Sequence, residues 1–415
     1  MIKKIVILAA LVFACVVQAQ QGGTSSPYSF FGIGLQQFKG TVENRAMGGM
    51  SLYSDSLHLN LINPAQLGKL RFVNFTFGGN HTATTLKETG NESNATDTTF
   101  DYFALGFPVS KKGAVSFGLM PWSTVGYDIN DSSAEAVNTF AGIGGVNRLF
   151  LSSGYEIAKG LHVGATAAYY FGNIQNEAVR TQDQVELSTL EENRTDFSGL
   201  AWEFGAQYET MISDKLELRS SIQYNTDSTI SAENTRSIST VVFDGFGIPT
   251  ELATADGLVQ DTDFRLPSSV VLGLGIGVPN KWFFGGELES SETSNFFNNS
   301  FRTEGVDFVD STTFRAGGLY IPNYSSVTSY FERVTYRAGF RYEELGLRIS
   351  DQDINEFGIS FGVGLPTKRN ISNLNLTLEY GQRGTTDANL VQENFFNIGV
   401  SLSLNDVWFL KSKFN

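Results

Sequence analysis

The sequence predicts an all-β transmembrane protein: about fourteen antiparallel strands closed into an outer-membrane β-barrel, with an N-terminal hatch in the lumen. Three observations predict it. Apolar residues alternate with polar residues or glycine in segment after segment from residue 70 onward. Short connections alternate with long polar ones, as they do when one end of a barrel carries turns and the other carries loops. The chain also opens as an export signal.

Residues 1–19 form that signal. Lys3 and Lys4 make a basic start, and Ile5 to Val17 make an apolar core too short to span a bilayer. Val17-Gln18-Ala19 supplies small residues for cleavage, so the mature chain is expected to begin at Gln20. Cys15 follows Ala14, but Phe13 and the second apolar stretch after Cys15 fit a lipoprotein signal badly. Cleavage at Ala19 removes the single cysteine and leaves no disulfide or thiolate metal site. It also leaves 27 basic against 43 acidic residues, a net charge of −16 that disfavours nucleic acid. The 34 Phe and 43 Gly are spread one by one, so no later segment offers ~18 consecutive apolar residues for a helical span.

Residues 20–69 read as leader and hatch. Gln20 to Ser26 is polar, and Pro27 to Gly34 is aromatic but broken by glycines. Between Arg45 and Leu67 the chain is a poor strand. Gly48 and Gly49 permit backbone angles closed to other residues. Asn63-Pro64-Ala65 carries a turn signal, with Pro64 fixing its φ and removing a donor.

Residues 70–404 read as the barrel, with strands near 70–82, 98–109, 114–127, 146–157, 161–175, 194–211, 215–230, 264–278, 282–296, 312–321, 329–342, 353–366, 373–382 and 394–404. Leu272, Leu274, Ile276 and Val278 alternate with Gly273, Gly275 and Gly277, and Phe357 to Leu365 repeat the pattern. Parity puts Glu203, Glu209, Glu287, Glu289, Arg337, Arg341 and Glu379 on the inner face. It puts Tyr155, Phe171, Tyr208, Tyr224, Tyr342 and Tyr380 outside, as interfacial girdles. The turns near 110–113, 158–160, 213–214, 279–281, 322–324 and 367–372 read as short. Residues 83–97, 128–145, 176–193, 231–263, 298–311, 343–352 and 383–393 read as long loops. In the last strand Phe396, Ile398, Val400, Leu402 and Leu404 share one face, which looks like the signal read by the barrel-assembly machinery during biogenesis. Residues 405–415, with Trp408-Phe409 before Lys411-Ser412-Lys413, read as a periplasmic tail.

Pro121, in Leu119-Met120-Pro121-Trp122, falls in the third strand. Proline removes a ladder bond and belongs at an edge or a distortion. It predicts either a break or bulge in the wall, or a strand that stops at Met120.

Arg45-Ala46-Met47-Gly48-Gly49, then Asn63-Pro64-Ala65-Gln66-Leu67 just before the first strand, resembles the hatch of the FadL/TodX family of outer-membrane channels for hydrophobic compounds. The resemblance implies fourteen strands, a hatch against the wall, and an inward kink in strand three at Met120, Pro121 and Trp122 that opens a side passage towards lipid. A hydrophobic ligand would pass the hatch and leave sideways into the bilayer. Phe150, Tyr170 and Phe283 point inward by parity and are candidate lining residues. The competing reading is a non-transporting FadL-like barrel that serves as accessory or scaffold subunit of an outer-membrane secretion or barrel-assembly complex. The inward faces rich in Gly, Ser, Asn and Glu suit it, as does the large 231–263 loop.

Little points to catalysis. Gly358-Ile359-Ser360-Phe361-Gly362 matches a nucleophile motif that needs a strand-to-helix turn, yet it lies inside an alternating strand. His58, His81 and His162 lack metal spacing, and His162 reads as a solvated lumen side chain. Asp351-Gln352-Asp353-Ile354-Asn355 has alternating oxygen ligands, but Glu356 and Gly362 stand where a calcium loop needs glycine and glutamate. Glu287 and Glu289 have no paired substrate pocket. No enzyme activity, cofactor or metal is expected.

Overall fold

The computed structural model describes residues 23–132, 136–183, 185–244, 249–257, 259–296, 305–367 and 372–406. The proposed signal and Trp408, Phe409, Lys411, Ser412 and Lys413 of the proposed tail lie outside them.

In chain order the strands are β1 (Leu35–Gln36), β2 (Val73–Glu88), β3 (Asn91–Pro108), β4 (Gly113–Ser132), β5 (Ala136–Ala158), β6 (Leu161–Gln182), β7 (Ser188–Met211), β8 (Glu217–Asn225), β9 (Ser228–Phe243) and β10 (Pro249–Gly257). There follow β11 (Thr262–Leu266), β12 (Ser269–Val278), β13 (Trp282–Ser291), β14 (Val306–Phe308), β15 (Ser311–Tyr320), β16 (Thr335–Ile349), β17 (Gln352–Pro366), β18 (Asn373–Arg383) and β19 (Gln392–Asp406). Consecutive wall strands pair antiparallel, and β19 pairs β2 from Asp406↔Val73 to Gln392↔Lys87, which closes the ring. The wall has fourteen staves: β8 with β9, β10 with β11 and β12, and β14 with β15 are single staves interrupted by bends. This is the predicted barrel.

Period-two sequence explains the wall. Leu274, Phe284 and Phe361 are at least 60% exposed on the outer face, and Tyr155, Tyr208, Tyr224, Tyr342 and Tyr380 lie on that face too. Glu203, Glu287, Arg337, Arg341 and Glu379 are buried on the inner one. Such a greasy exterior is what a lipid-facing surface requires.

Several expected boundaries differ. The stretches 83–97, 128–145, 176–193 and 231–263 are not loops among the described residues. They continue the wall as strand extensions closed by turns, such as Glu88↔Asn91 and Phe243↔Pro249, and neighbouring extensions pair with one another, as Ala136↔Gln182 and Ser188↔Val241 do. The inward residues here are mostly small or polar, as with Ser188, Ala232 and Ser239, and the outward ones are polar too, so the apolar alternation fades while β-propensity persists. The 343–352 stretch is a hairpin closed by Ser350 and Asp351, both at positive φ. Asp353, in the supposed calcium loop, pairs with Arg348 at 2.6 Å. Conversely, the turn expected at 322–324 is an extended connection over 321–334, and β16 starts at Thr335.

Residues 23–72 fold inside the cylinder. The short helix α1 (Val42–Arg45) is held by a capping box between Thr41 and Asn44. Asn63 caps a 3-10 turn at Pro64–Lys69, its Oδ1 accepting the Ala65 amide at 3.0 Å.

Candidate functional site

The inner segment rests on two rows of glycine. Gly154, Gly164 and Gly205 stand side by side in register on β5, β6 and β7. A Cβ on Gly154 would lie 2.3 Å from the Pro64 oxygen, on Gly164 2.4 Å from the Pro64 carbonyl carbon, and on Gly205 2.2 Å from Asn63 Oδ1. The second row is Gly275, Gly285, Gly317 and Gly339 on β12, β13, β15 and β16, continued by Ser360 on β17. A Cβ on Gly339 would lie 2.0 Å from the Gly48 nitrogen. Gly48 and Gly49 sit at φ +69° and +84°, which non-glycine residues rarely adopt. The Gly48 amide donates to Ser360 Oγ at 3.1 Å, so the serine of the G-x-S-x-G string anchors backbone. Sequence reasoning placed Gly275 opposite the apolar face and described the inward faces as glycine-rich, but missed the seat these glycines form. Their shared parity on neighbouring strands was the available signal.

Charged contacts fasten the segment along its length. Lys39 meets Glu203 at 2.6 Å, and Arg148 meets the same carboxylate at 2.7 Å. Arg45 reaches Glu379 at 3.3 Å. Glu287 accepts from the Ser51 amide and hydroxyl at 2.9 and 2.8 Å. Lys69 and His162 share Glu209, so His162, 3% exposed, is a buried partner and not the solvated side chain expected. His58 holds Asp55 at 2.7 Å. Burial alone would lower the His58 pKa, but the adjacent Asp55 carboxylate raises it above the ordinary value. Burial alone would raise the Asp55 pKa, yet His58 and two backbone amides hold it well below the carboxylate range.

Above the segment lies a cavity of about 350 Å³. Its walls include Lys39, Glu203, Glu289, Arg315, Arg341 and Glu356, and Arg315 pairs with Glu289 at 2.6 Å.

One side of the wall is incompletely laddered. β3 pairs with β4 from Pro108↔Ala114 only to Phe103↔Leu119. Beyond that point no pairing joins β3 to β4 among the described residues, although β4 runs on to Ser132 beside β5. The β4–β5 register slips between Pro121 and Ser123, leaving Trp122 as the bulged residue. The free edge of β4 is met from inside: Leu35 and Gln36 pair with Thr124 and Ser123, and the Gln37 amide donates to the Trp122 carbonyl at 2.9 Å. Met120 is 1% exposed. Tyr170 packs edge-on against Trp122, with centroids 5.3 Å apart. Phe150 is buried near Met120. Phe283 lies in a separate cluster against Tyr53, so the structure does not bring it to the other two. Ala65 is fully buried.

The BamG family model matches residues 1–415. The chain belongs to the BamG family. No curated protein matches it by sequence. Among solved structures, this BamG-family chain is similar to the toluene transporter TbuX of Ralstonia pickettii, with 15% identity, TM-score 0.58, and 89% of this chain and 99% of that one covered. The toluene transporter TodX of Pseudomonas putida gives 17%, 0.57, 90% and 98%. The CymD monoaromatic hydrocarbon channel gives 13%, 0.58, 89% and 98%. At such identity the likeness establishes a common FadL/TodX-type barrel fold.

Proposed function

We propose that this chain is an outer-membrane barrel of FadL type that serves as an accessory subunit of the barrel-assembly complex and is not a solute conduit. The observation that carries the reading is the lumen. Ligand pockets for apolar molecules are mostly apolar. Here the open chamber sets Lys39, Glu203, Glu289, Arg315, Arg341 and Glu356 among apolar residues such as Phe38, Trp122 and Phe296, so it is not a mostly apolar pocket, and the segment below it is fastened to the wall by buried charged contacts. The family name, BamG, carries the prefix of the barrel-assembly machinery. The decisive experiment is gentle affinity purification of the tagged full chain from native membranes with quantitative mass spectrometry. Stoichiometric recovery of other barrel-assembly components is expected; a barrel that elutes alone sinks the reading.

The interrupted β3–β4 ladder favours a second reading, lateral delivery of a hydrophobic compound into the bilayer through the gap at Met120, Pro121 and Trp122, with Phe150 and Tyr170 beside the path. It requires the segment carrying Gly48, Gly49, Asn63, Pro64 and Ala65 to move as a hatch. Uptake of toluene or a long-chain fatty acid separates the two readings. Under the assembly reading Pro121→Ala leaves uptake unchanged; under the transport reading uptake slows.

A further inference from the structure

A second cavity, of about 70 Å³, opens at the end of the barrel that carries the short turns, the periplasmic end in our reading. It lies inside the rim, between the inner segment (Tyr53, Asp55, His58) and the inward faces of β15, β16 and β18 (Leu319, Arg337, Asn373). Arg337 is its unusual member. Arg148, Arg219, Arg315, Arg341 and Arg383 on the inner wall each meet a carboxylate. Arg337 is only 7% exposed, yet among the described residues no carboxylate comes within 4.0 Å of it. Among the described residues its one hydrogen bond is a long one, Nη1 to Asn375 Oδ1 at 3.4 Å, and its Nε is buried without a partner. Asp55 turns to His58; of Glu43 one oxygen accepts from Asn375 and Ser403, and the other is buried without a hydrogen-bond partner and does not come within 4.0 Å of Arg337.

A buried guanidinium without a counter-ion is costly, and it presents a planar fork suited to a carboxylate. The rest of the cavity says what should be attached to that group. Leu319, Ile321 and Pro366 give it apolar walls. The connection over 321–334 borders it through Tyr324 and Arg333, and exposes Val327 almost completely, at 95%. Because the lining residues face inward, a phospholipid on the outer wall does not reach them. A chain segment entering the mouth does.

We propose that this pocket seats the carboxylate of a polypeptide segment arriving from the periplasm, with Arg337 as counter-ion and the apolar walls receiving the adjoining side chain. The identity of that partner rests on the assembly reading above; the chemistry of the pocket does not.

The test uses the purified full chain in detergent and calorimetric titration with Ala-Ala-Phe as free acid, the same peptide as C-terminal amide, and inorganic phosphate. The free acid is expected to bind at least tenfold more tightly than either the amide or phosphate. Arg337→Gln abolishes the difference, while Arg265→Gln, on β11 toward the opposite end of the barrel, preserves it. Equal binding of acid and amide, phosphate matching the acid, or full binding by R337Q each overturns the proposal. If R337Q fails to fold, Arg337→Lys, which keeps the charge and loses the fork, must weaken the acid at least threefold; unchanged binding overturns the proposal equally. Acid-selective binding by a chain that recovers no partners from membranes leaves the pocket standing and removes the assembly reading, and the converse result separates them in the other direction.

Discussion

Gly164→Ala tests the glycine seat with a single methyl group. The added Cβ would lie 2.4 Å from the carbonyl carbon of Pro64 and 2.5 Å from the Ala65 nitrogen, against the 3.4 Å at which ordinary contact begins. Both obstacles are backbone, so no side chain can swing away, and relief needs a movement of about 1 Å. The wall cannot supply it cheaply, because Gly164 is pinned by ladders to Gly154 and Gly205. The inner segment must yield. Overpacking of this kind costs about 1–3 kcal/mol. If it falls on local release of the segment, the open population rises about 5- to 150-fold. Hydrogen exchange of the purified barrel, followed by mass spectrometry over residues 60–70, reads that population through the Ala65 and Leu70 amides, which donate within the turn. Gly286→Ala is the control, since its Cβ would meet nothing closer than 3.4 Å. Exchange over 60–70 that is equally slow in G164A, G286A and the parent would falsify the seat.

Other perturbations follow from the charged contacts. Glu203→Gln leaves Lys39 and Arg148 without their shared carboxylate. Removing one partner from a buried pair costs about 3–5 kcal/mol, and exchange around residue 39 should rise before the wall melts; a variant with parental exchange contradicts the fastening role. The Asp55–His58 pair makes stability depend on pH in a defined direction. The folded His58 pKa is raised, so its contribution is complete below the ordinary histidine value of ~6.5 and disappears as pH rises through the folded value. Asp55, held low, contributes above its ordinary ~3.9 and fails only in stronger acid. The destabilisation caused by His58→Gln, measured by thermal melts, should therefore be largest between those two values and shrink at alkaline pH; a deficit that grows with pH refutes the pairing.

The wall was legible because a lipid-facing surface forces alternation, which marks Leu272 to Val278 and Phe357 to Leu365 as strands, and the alternation of short and long connections and the aromatic ends of the apolar face marked the strands as a barrel. The signal failed where that force stops. Above the apolar belt β10 is exposed almost throughout and β9 buries small or polar residues such as Ala232 and Ser239, so residues 231–263 look like a loop although they pair as a hairpin. It failed again at 321–334, where Tyr330 and Phe331 imitate an alternating strand. Asn63-Pro64-Ala65 and Gly48-Gly49 marked the inner segment because turns and positive φ restrict residue type. What the segment touches was not legible. Arg45 and Glu379 are separated by 334 positions, and nothing local to either names the other. The isolation of Arg337 is more hidden still, since it is defined by the partners its neighbours have already taken.

The energy needed to clear the lumen argues about what could do it. A monoaromatic hydrocarbon offers ~200 Å² of apolar surface, worth ~5 kcal/mol at ~25 cal/mol per Å². Withdrawing Lys39 from Glu203, Arg45 from Glu379 and Lys69 from Glu209 breaks three charged contacts whose wall carboxylates remain in place. Glu203 keeps Arg148, Glu379 keeps Arg341 and Glu209 keeps His162, so each break costs less than the ~3–5 kcal/mol of a stranded buried charge, and the three summed are of the same order as what such a solute returns. The glycine seat adds close packing that a small ligand does not replace. A protein surface has the needed scale, since a standard interface buries ~1,600 Å². Under the assembly reading, any displacement of the segment should accordingly track partner binding and ignore hydrocarbon. Exchange over residues 60–70 that accelerates with saturating toluene in the isolated barrel, and not in the co-purified complex, would reverse that ordering.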